Sequence, residues 1–257
     1  MGVSGPDVKG EAILYGFLDM IQPEDGPRVN MDTVLLAGFA ALKSGERAIE
    51  LGCAHGAVSL ILAKRFGGAF VEGLDVQPHL VELARENAGR NGLTENTAFR
   101  AGDLRDVRRL YRHQSFDAVV VNPPYEDPGF GRRSESEVNR VARQGELCTL
   151  DDVCAAAAFL LKNKGRLFMV MRALRLADTL AALRAYKIEP RLLRMVHPTP
   201  AKDASVFLLE ARRNGGPAMT VLPPLYIYDD SGEYTDELMR FYRPEPPRCD
   251  RDEKSST

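Results

Sequence analysis

The sequence contains no tryptophan, only four histidines and only four cysteines. The cysteines, Cys53, Cys148, Cys154 and Cys249, form no CxxC pair, and no histidine joins them at metal-ligand spacing. This excludes a disulfide scaffold and a thiolate zinc site, and it predicts reduced thiols and no metal. Charge of one sign is also lacking: 34 Lys and Arg stand against 36 Asp and Glu, a net charge of -2. A polyanionic partner would therefore be met by a local patch, not by a global field. No apolar run is long enough to span a bilayer. The opening MGVSGPDVKG has no basic stretch followed by an apolar one, and Pro6 stands where a myristoylation signal needs Ser or Thr. A cytoplasmic protein without membrane contact is expected. No internal repeat appears at a fixed period.

What is present is a chain that is 44% hydrophobic, enough for one large core. Residues 11–31 hold the apolar piece ILYGFLDMI and then QPEDGPRVN, whose Pro and Asp-Gly read as the turn of a hairpin. MDTVLLAGFAALKSG reads as a helix capped by Asp32. From RAIELGCA onward, strands and helices alternate. The strands are RAIEL, AFVEGLDV, TAFRAGDL, FDAVVVN and RLFMVMR. The helices are AVSLILAKRF, QPHLVELARENAGR, TLDDVCAAAAFLLKNK (capped by Thr149, with Gly165 after its end) and ADTLAALRAYK. Such alternation predicts an α/β fold with a mostly parallel sheet covered on both faces. PRLLRMVHP and SVFLLEARR follow one another without a helix, so they predict an edge hairpin that places one antiparallel strand in that sheet. The expected organisation is an N-terminal hairpin and lid helix over 1–45, a core domain over 46–242, and a disordered tail over 243–257.

In open α/β sheets ligands bind beyond the carboxyl ends of the strands. Four such ends carry chemistry. The first is Glu50-Leu51-Gly52-Cys53-Ala54-His55-Gly56, where small residues let backbone N–H groups approach a ligand at a helix N-terminus. Ala54 stands at the middle glycine of a Gly-x-Gly-x-x-Gly pattern, the third glycine is missing, and Glu50 suits a cationic ligand better than a pyrophosphate. Alanine fits at position 54 if its φ is negative. The second end is Asp75, about twenty residues on, where a carboxylate accepts from both ribose hydroxyls. It equally fits a helix cap. The third is Gly102-Asp103-Leu104, whose carboxylate could accept from an exocyclic amine or simply make a turn. The fourth is Asn122-Pro123-Pro124-Tyr125. Proline removes the backbone donor, fixes φ and extends the residue before it. Free carbonyls, a side-chain amide and a flat ring then suit an –NH2 group on a planar base.

Together, ELGCAHG, LDVQP, GDL and NPPY resemble the class I S-adenosylmethionine-dependent methyltransferases of the amino-methylating type. VNMDTVLLAGFA, NPPYEDPG, LKNKGRLFMVMR, MVHP and PPLYIYDDSGEYTDEL extend the resemblance, almost end to end, to the bacterial tRNA1(Val) adenine-37 N6-methyltransferase family. The resemblance implies a Rossmann-like fold, S-adenosylmethionine as cofactor (S-adenosylhomocysteine as product) and RNA, most closely tRNA, as partner. It implies that Met31, Asp32 and Thr33 form part of a lid, and that Glu50, Gly52, Cys53 and Ala54 hold the methionine part. Asp75 would take the ribose, Val76 would pack on the adenine, and Gly102, Asp103 and Leu104 would read its edge. Asn122 and Pro123 would grip the target amine, with Pro124 shaping the motif and Tyr125 stacking on the base. Basic residues at Arg132, Arg133, Arg140, Arg143, Arg191, Arg194, Lys202, Arg240, Arg243, Arg248 and Arg251 are candidate RNA contacts or an ordinary solvated surface, and 126–146 reads as a mobile loop.

Other readings remain open at this level. NPPY also occurs in methyltransferases acting on a release-factor glutamine, which usually carry a larger N-terminal helical domain. A DNA adenine methyltransferase would need a recognition domain. A non-catalytic RNA-binding module would follow if Ala54-His55 abolished cofactor binding.

Overall fold

The computed structural model describes residues 9–23, 26–123 and 148–243. Its central sheet runs β10-β8-β9-β7-β6-β3-β4-β5. The strands are β3 (Arg47–Leu51), β4 (Phe70–Asp75), β5 (Thr97–Ala101), β6 (Phe116–Val121), β7 (Leu161–Arg172), β8 (Ile188–His197) and β9 (Val206–Arg213), with the short β10 (Thr220–Val221) and β11 (Leu225–Tyr226) both pairing with β8. β5, β4, β3, β6 and β7 are mutually parallel, and β9 alone runs antiparallel, to both β7 and β8. The mostly parallel sheet with a late antiparallel hairpin is as the sequence predicts.

The central strands form because apolar residues occupy both of their faces. Along β3 and β6, Ala48, Ala118 and Val120 enter one core, whereas Ile49, Leu51, Val119 and Val121 enter the other. This period-two alternation with no polar face is the signature of a doubly covered parallel strand. The first core is closed by α1 (Met31–Phe39), α2 (Ala57–Arg65), α3 (Pro78–Arg90) and α7 (Asp236–Tyr242). The second is closed by α4 (Val107–Leu110), α5 (Leu150–Leu160) and α6 (Leu176–Ala185). Among the described residues no helix is long and apolar enough to cross a membrane.

Three local expectations are corrected. The N-terminal hairpin exists, β1 (Lys9–Ile13) against β2 (Leu18–Gln22), but it turns inside the apolar piece at Leu14–Phe17. Leu14, Tyr15 and Gly16 take positive φ there, and Gly16 N–H and Phe17 N–H bond to the Ile13 and Leu14 carbonyls. The Pro- and Gly-containing piece instead leads on to α1. That helix is capped by Asn30, not Asp32: the Asn30 side chain accepts from Thr33 N–H at 3.0 Å, and Asn30 N–H reaches Thr33 Oγ1. Asparagine caps as well as aspartate, and the capping-box partner three residues on decides between them. Finally, α5 ends at Leu160 and β7 starts at Leu161, with no loop between. The residues predicted to finish the helix form a bulged strand start, with Lys164 at φ +64°. Gly165 is needed there because a Cβ would sit 3.0 Å from the Lys162 carbonyl oxygen and 3.1 Å from that of Asp117.

Candidate active site at the carboxyl ends of the strands

The strand order reverses at β3, whose neighbours β4 and β6 lead the chain away on opposite sides. In open α/β sheets ligands bind at such a switch point. Leu51 pairs with Val121, so Gly52 and Asn122 leave adjacent strands side by side. Gly102 N–H donates to the Asp75 carbonyl at 2.9 Å, bringing the third strand end to the second. The structure thus gathers Gly52, Cys53, Ala54, Asp75, Val76, Gly102 and Asn122 at one edge of the sheet.

The loop after β3 is held by its own backbone. Gly52 and Cys53 N–H groups both donate to the Leu74 carbonyl, at 2.8 and 3.1 Å, and Gly56 N–H donates to the Cys53 carbonyl at 2.8 Å. Ala54 N–H donates to Asp75 Oδ2 at 2.8 Å. Ala54 adopts φ +46°. The negative φ that would suit alanine is therefore not found, and the left-handed conformation costs a residue with a Cβ about 1–2 kcal/mol. Gly56 precedes α2 at φ +88°, where a Cβ would meet Ala84 Cβ at 3.0 Å and the Phe99 ring at 3.1 Å. It completes an alternating E-x-G-x-A-x-G pattern, which a search for Gly-x-Gly-x-x-Gly spacing overlooks.

Asp75 is 6% exposed, and its other oxygen accepts from Gln77 N–H at 2.9 Å. A carboxylate has about four lone-pair sites, so two backbone donors orient it and leave room for further donors. The cap for the following helix and the ligand role are therefore compatible. Beside it Val76 is 52% exposed, an open apolar surface. Asp103 is engaged: Arg105 N–H donates to Oδ1 at 2.8 Å and the Arg105 guanidinium donates to both oxygens. That pairing holds its carboxyl below the ordinary value. Leu104 packs against the second core.

Glu50 lies beneath the loop, 4% exposed, and accepts at Oε2 from Ser59 N–H at 2.8 Å and Ser59 Oγ–H at 2.5 Å. Burial raises its pKa to about 8, against the two Ser59 bonds and with a further push from Asp75. Burial also raises the Cys53 thiol well above its usual range. His55 is buried with both ring nitrogens unpartnered among the described residues, and burial, aided by Arg28, lowers it to about 4. Ser59 was not legible as a site residue, because nothing in its spacing separates it from any other helix serine.

Asn122 and Pro123 follow β6. Asn122 Oδ1 is buried and has no hydrogen-bond partner among the described residues. Leaving such an acceptor unmet costs about 1–3 kcal/mol. Pro124, Tyr125 and the stretch 126–146 with Arg132, Arg133, Arg140 and Arg143 lie outside the described residues, as do Cys249, Arg248, Arg251 and the tail beyond 243. Met31, Asp32 and Thr33 begin α1 on the first face of the sheet, with Thr33 occupied in its cap. Of the other basic candidates, Arg191 donates to the Gly216 carbonyl and Arg194 pairs with Glu237. Arg243 lies over the Tyr15 ring, whereas Lys202 and Arg240 are exposed. No group of three or more metal-ligating side chains occurs among the described residues.

A glycine-turn loop, an oriented carboxylate at the next strand end and an amide oxygen without a partner among the described residues meet at the switch point of a class I methyltransferase fold. The chain belongs to the methyltransferase-domain family, whose profile matches residues 42–188. Over 88% of its length it is 28% identical to 91% of a tRNA1(Val) (adenine(37)-N6)-methyltransferase of Porphyromonas gingivalis. A protein of the same name from Dickeya chrysanthemi is 26% identical over 84% of this chain and 86% of its own. In structure the chain is similar to a predicted O-methyltransferase, Atu636 of Agrobacterium tumefaciens (TM-score 0.69, 20% identity, 83% of this chain and 96% of that one). It is also similar to TrmN of Thermus thermophilus (TM-score 0.51, 20% identity, 70% of this chain and 48% of that one).

Proposed function

We propose that the chain is an S-adenosylmethionine-dependent methyltransferase that methylates the N6 amine of an adenine in a tRNA anticodon loop, working in the cytoplasm. The observation that carries this reading is the buried Asn122 Oδ1 at the end of β6, beside the glycine loop, which has no partner among the described residues. A buried acceptor unmet among the described residues, at the switch point where ligands bind, suits an N–H donor from a ligand. The names and near full-length coverage of the relatives favour adenine over a glutamine amide.

The residues present fit the cofactor. Gly52 takes φ +76° with nothing near its missing Cβ, so the loop backbone is open to close approach. Asp75 would accept ribose hydroxyls, and Val76 would pack against the base. Met31, Asp32 and Thr33 would close over it, and Asp103 with Leu104 would border the adenine. S-adenosylmethionine, when bound, supplies an electrophilic sulfonium methyl and leaves as S-adenosylhomocysteine.

The lone pair of an adenine N6 is delocalised into the ring and is a poor nucleophile. Asn122 Oδ1 accepts one amine proton and the Pro123 carbonyl the other, drawing the nitrogen toward tetrahedral geometry and freeing the lone pair. Tyr125 would stack on the extruded base, returning about 1–3 kcal/mol of the few kcal/mol that unstacking costs. Catalysis rests on orientation and electrostatics, and the proton leaves to solvent after transfer.

The test is Asn122→Ala, assayed with labelled methyl on total tRNA, total rRNA and protein fractions, with nucleoside mass spectrometry of the product. Transfer to tRNA should fall by about 100-fold or more, consistent with loss of a preorganised polar contact, while calorimetry shows cofactor affinity little changed. Full activity in the variant would remove Asn122 from the mechanism. Label in the protein fraction would favour the glutamine reading. A wild-type chain that does not bind S-adenosylmethionine at millimolar concentration would be a binding module instead.

A further inference from the structure

The glycine loop is tied to the rest of the molecule by one side chain that the mechanism above does not use. Asn87, on α3, is fully buried. Its Oδ1 accepts from Ile21 N–H at 2.7 Å, and its Nδ2 donates to the Ile21 carbonyl at 3.0 Å and to the His55 carbonyl at 3.1 Å. One turn further along, Asn91 Oδ1 accepts from Asp19 N–H at 3.0 Å and Nδ2 donates to the Asp19 carbonyl at 2.7 Å. Two asparagines four residues apart thus face alternate residues of β2 and take the place of a neighbouring strand. Only Asn87 carries on to the loop.

His55 sits between two residues of positive φ, Ala54 and Gly56. Strained backbone of this kind persists only where its surroundings over-determine it. Cys53 is held through Gly56, and Ala54 through Asp75. The His55 imidazole makes no hydrogen bond among the described residues, so its carbonyl is the group through which this residue is anchored.

We propose that Asn87 is a positioning residue that sets the conformation of the cofactor loop 52–56 through the His55 carbonyl and couples that loop to the N-terminal hairpin. The inference rests on the reading of this loop as the S-adenosylmethionine site. Without the Asn87 donor, the peptide between the two left-handed residues is free to relax. Ala54 N–H then swings away from Asp75, and the carboxylate loses one of its two orienting bonds.

The experiment compares full-length Asn87→Ala, Asn87→Asp and Asn91→Ala with the wild type. Asn87→Asp keeps shape and the acceptor for Ile21 N–H but removes the donor to the His55 and Ile21 carbonyls. It serves if Asn87→Ala does not fold. Asn91→Ala weakens hairpin docking and leaves the His55 bond intact. Affinity for S-adenosylmethionine is measured by calorimetry well below the melting temperature, and amide hydrogen exchange is followed over residues 52–57 in the unliganded protein. Both Asn87 variants should bind about tenfold more weakly, a loss on the scale of one hydrogen bond, whereas Asn91→Ala should stay within roughly twofold despite a lower Tm. Exchange over 52–57 should accelerate in the Asn87 variants only. Wild-type affinity and exchange in both Asn87 variants, or equal effects from Asn91→Ala, would overturn the assignment. If the wild type binds no S-adenosylmethionine, the functional reading fails on its own, and the exchange data still decide whether Asn87 sets the loop.

Discussion

Ala54 carries a methyl group in a backbone conformation that glycine adopts freely. Its strain is offset by the bond to Asp75 and by the Asn87 tie. Ala54→Gly should therefore stabilise the fold by about 1 kcal/mol, the alanine penalty less the chain entropy of glycine, and should not weaken S-adenosylmethionine binding. Urea denaturation would show this as a raised midpoint, and a lowered one would mean that the methyl group itself packs usefully. Two buried groups, Glu50 before this loop and His55 within it, titrate in opposite senses. Glu50 has its pKa raised from 4.5 to about 8, so between those values the folded state keeps a proton that the unfolded chain has lost. Its contribution is complete below 4.5 and is lost as pH rises to about 8. His55 is lowered from 6.5 to about 4, so across that interval the unfolded chain holds the extra proton, and stability rises with pH. The two slopes oppose each other between 4.5 and 6.5, and Glu50 alone acts from 6.5 to 8. Glu50→Gln should flatten the decline in stability over pH 6.5–8, measured by denaturation at fixed temperature. A wild-type slope that is unchanged in the variant would mean that Glu50 is ionised in the folded protein.

At the scale of elements, α7 is seated against α1 through a single gap in side-chain cover. Gly38 has ordinary helical φ and no turn to make, yet a Cβ there would collide with the Phe241 ring. Gly38→Ala should cost about 1–3 kcal/mol by overpacking, lower Tm by several degrees and expose the Asp236–Tyr242 segment to protease. Unchanged proteolysis would show that α7 can shift to accommodate the methyl. From the sequence, Gly38 looks only like a weak point in a helix, because its reason lies some two hundred residues away. The same distinction runs through the site. The strand-end positions of Asp75, Gly102 and Asn122 were legible because strand ends and prolines announce themselves locally. The cap at Asn30, the end of α5 and the Asn87 ladder were not: each is decided by a partner distant in sequence or by a competition between neighbouring residues of similar propensity. Asp103 was legible as a strand-end carboxylate, but its occupation by Arg105 depends on side-chain geometry that a Gly-Asp-Leu pattern does not contain.

At the scale of the molecule, alternating apolar strands and helices were enough to read a doubly covered sheet with one antiparallel member, since period and order alone dictate that arrangement. The position of β9 between β7 and β8 has a consequence for how the chain is made. β7 carries the buried run Leu167–Met171, and its outer edge is covered only by β9, whose first residue is Val206. During synthesis from the N-terminus, β7 therefore emerges well before its cover and presents a bare, strongly apolar strand edge to the crowded space outside the ribosome. A chain stopped at residue 204 should partition into the insoluble fraction, and one extended to 216, which includes β9, should recover much of its solubility. If both are equally soluble, something other than β9 shields that edge in the nascent chain. Faithful production of this enzyme is limited by how soon its last long strand folds back.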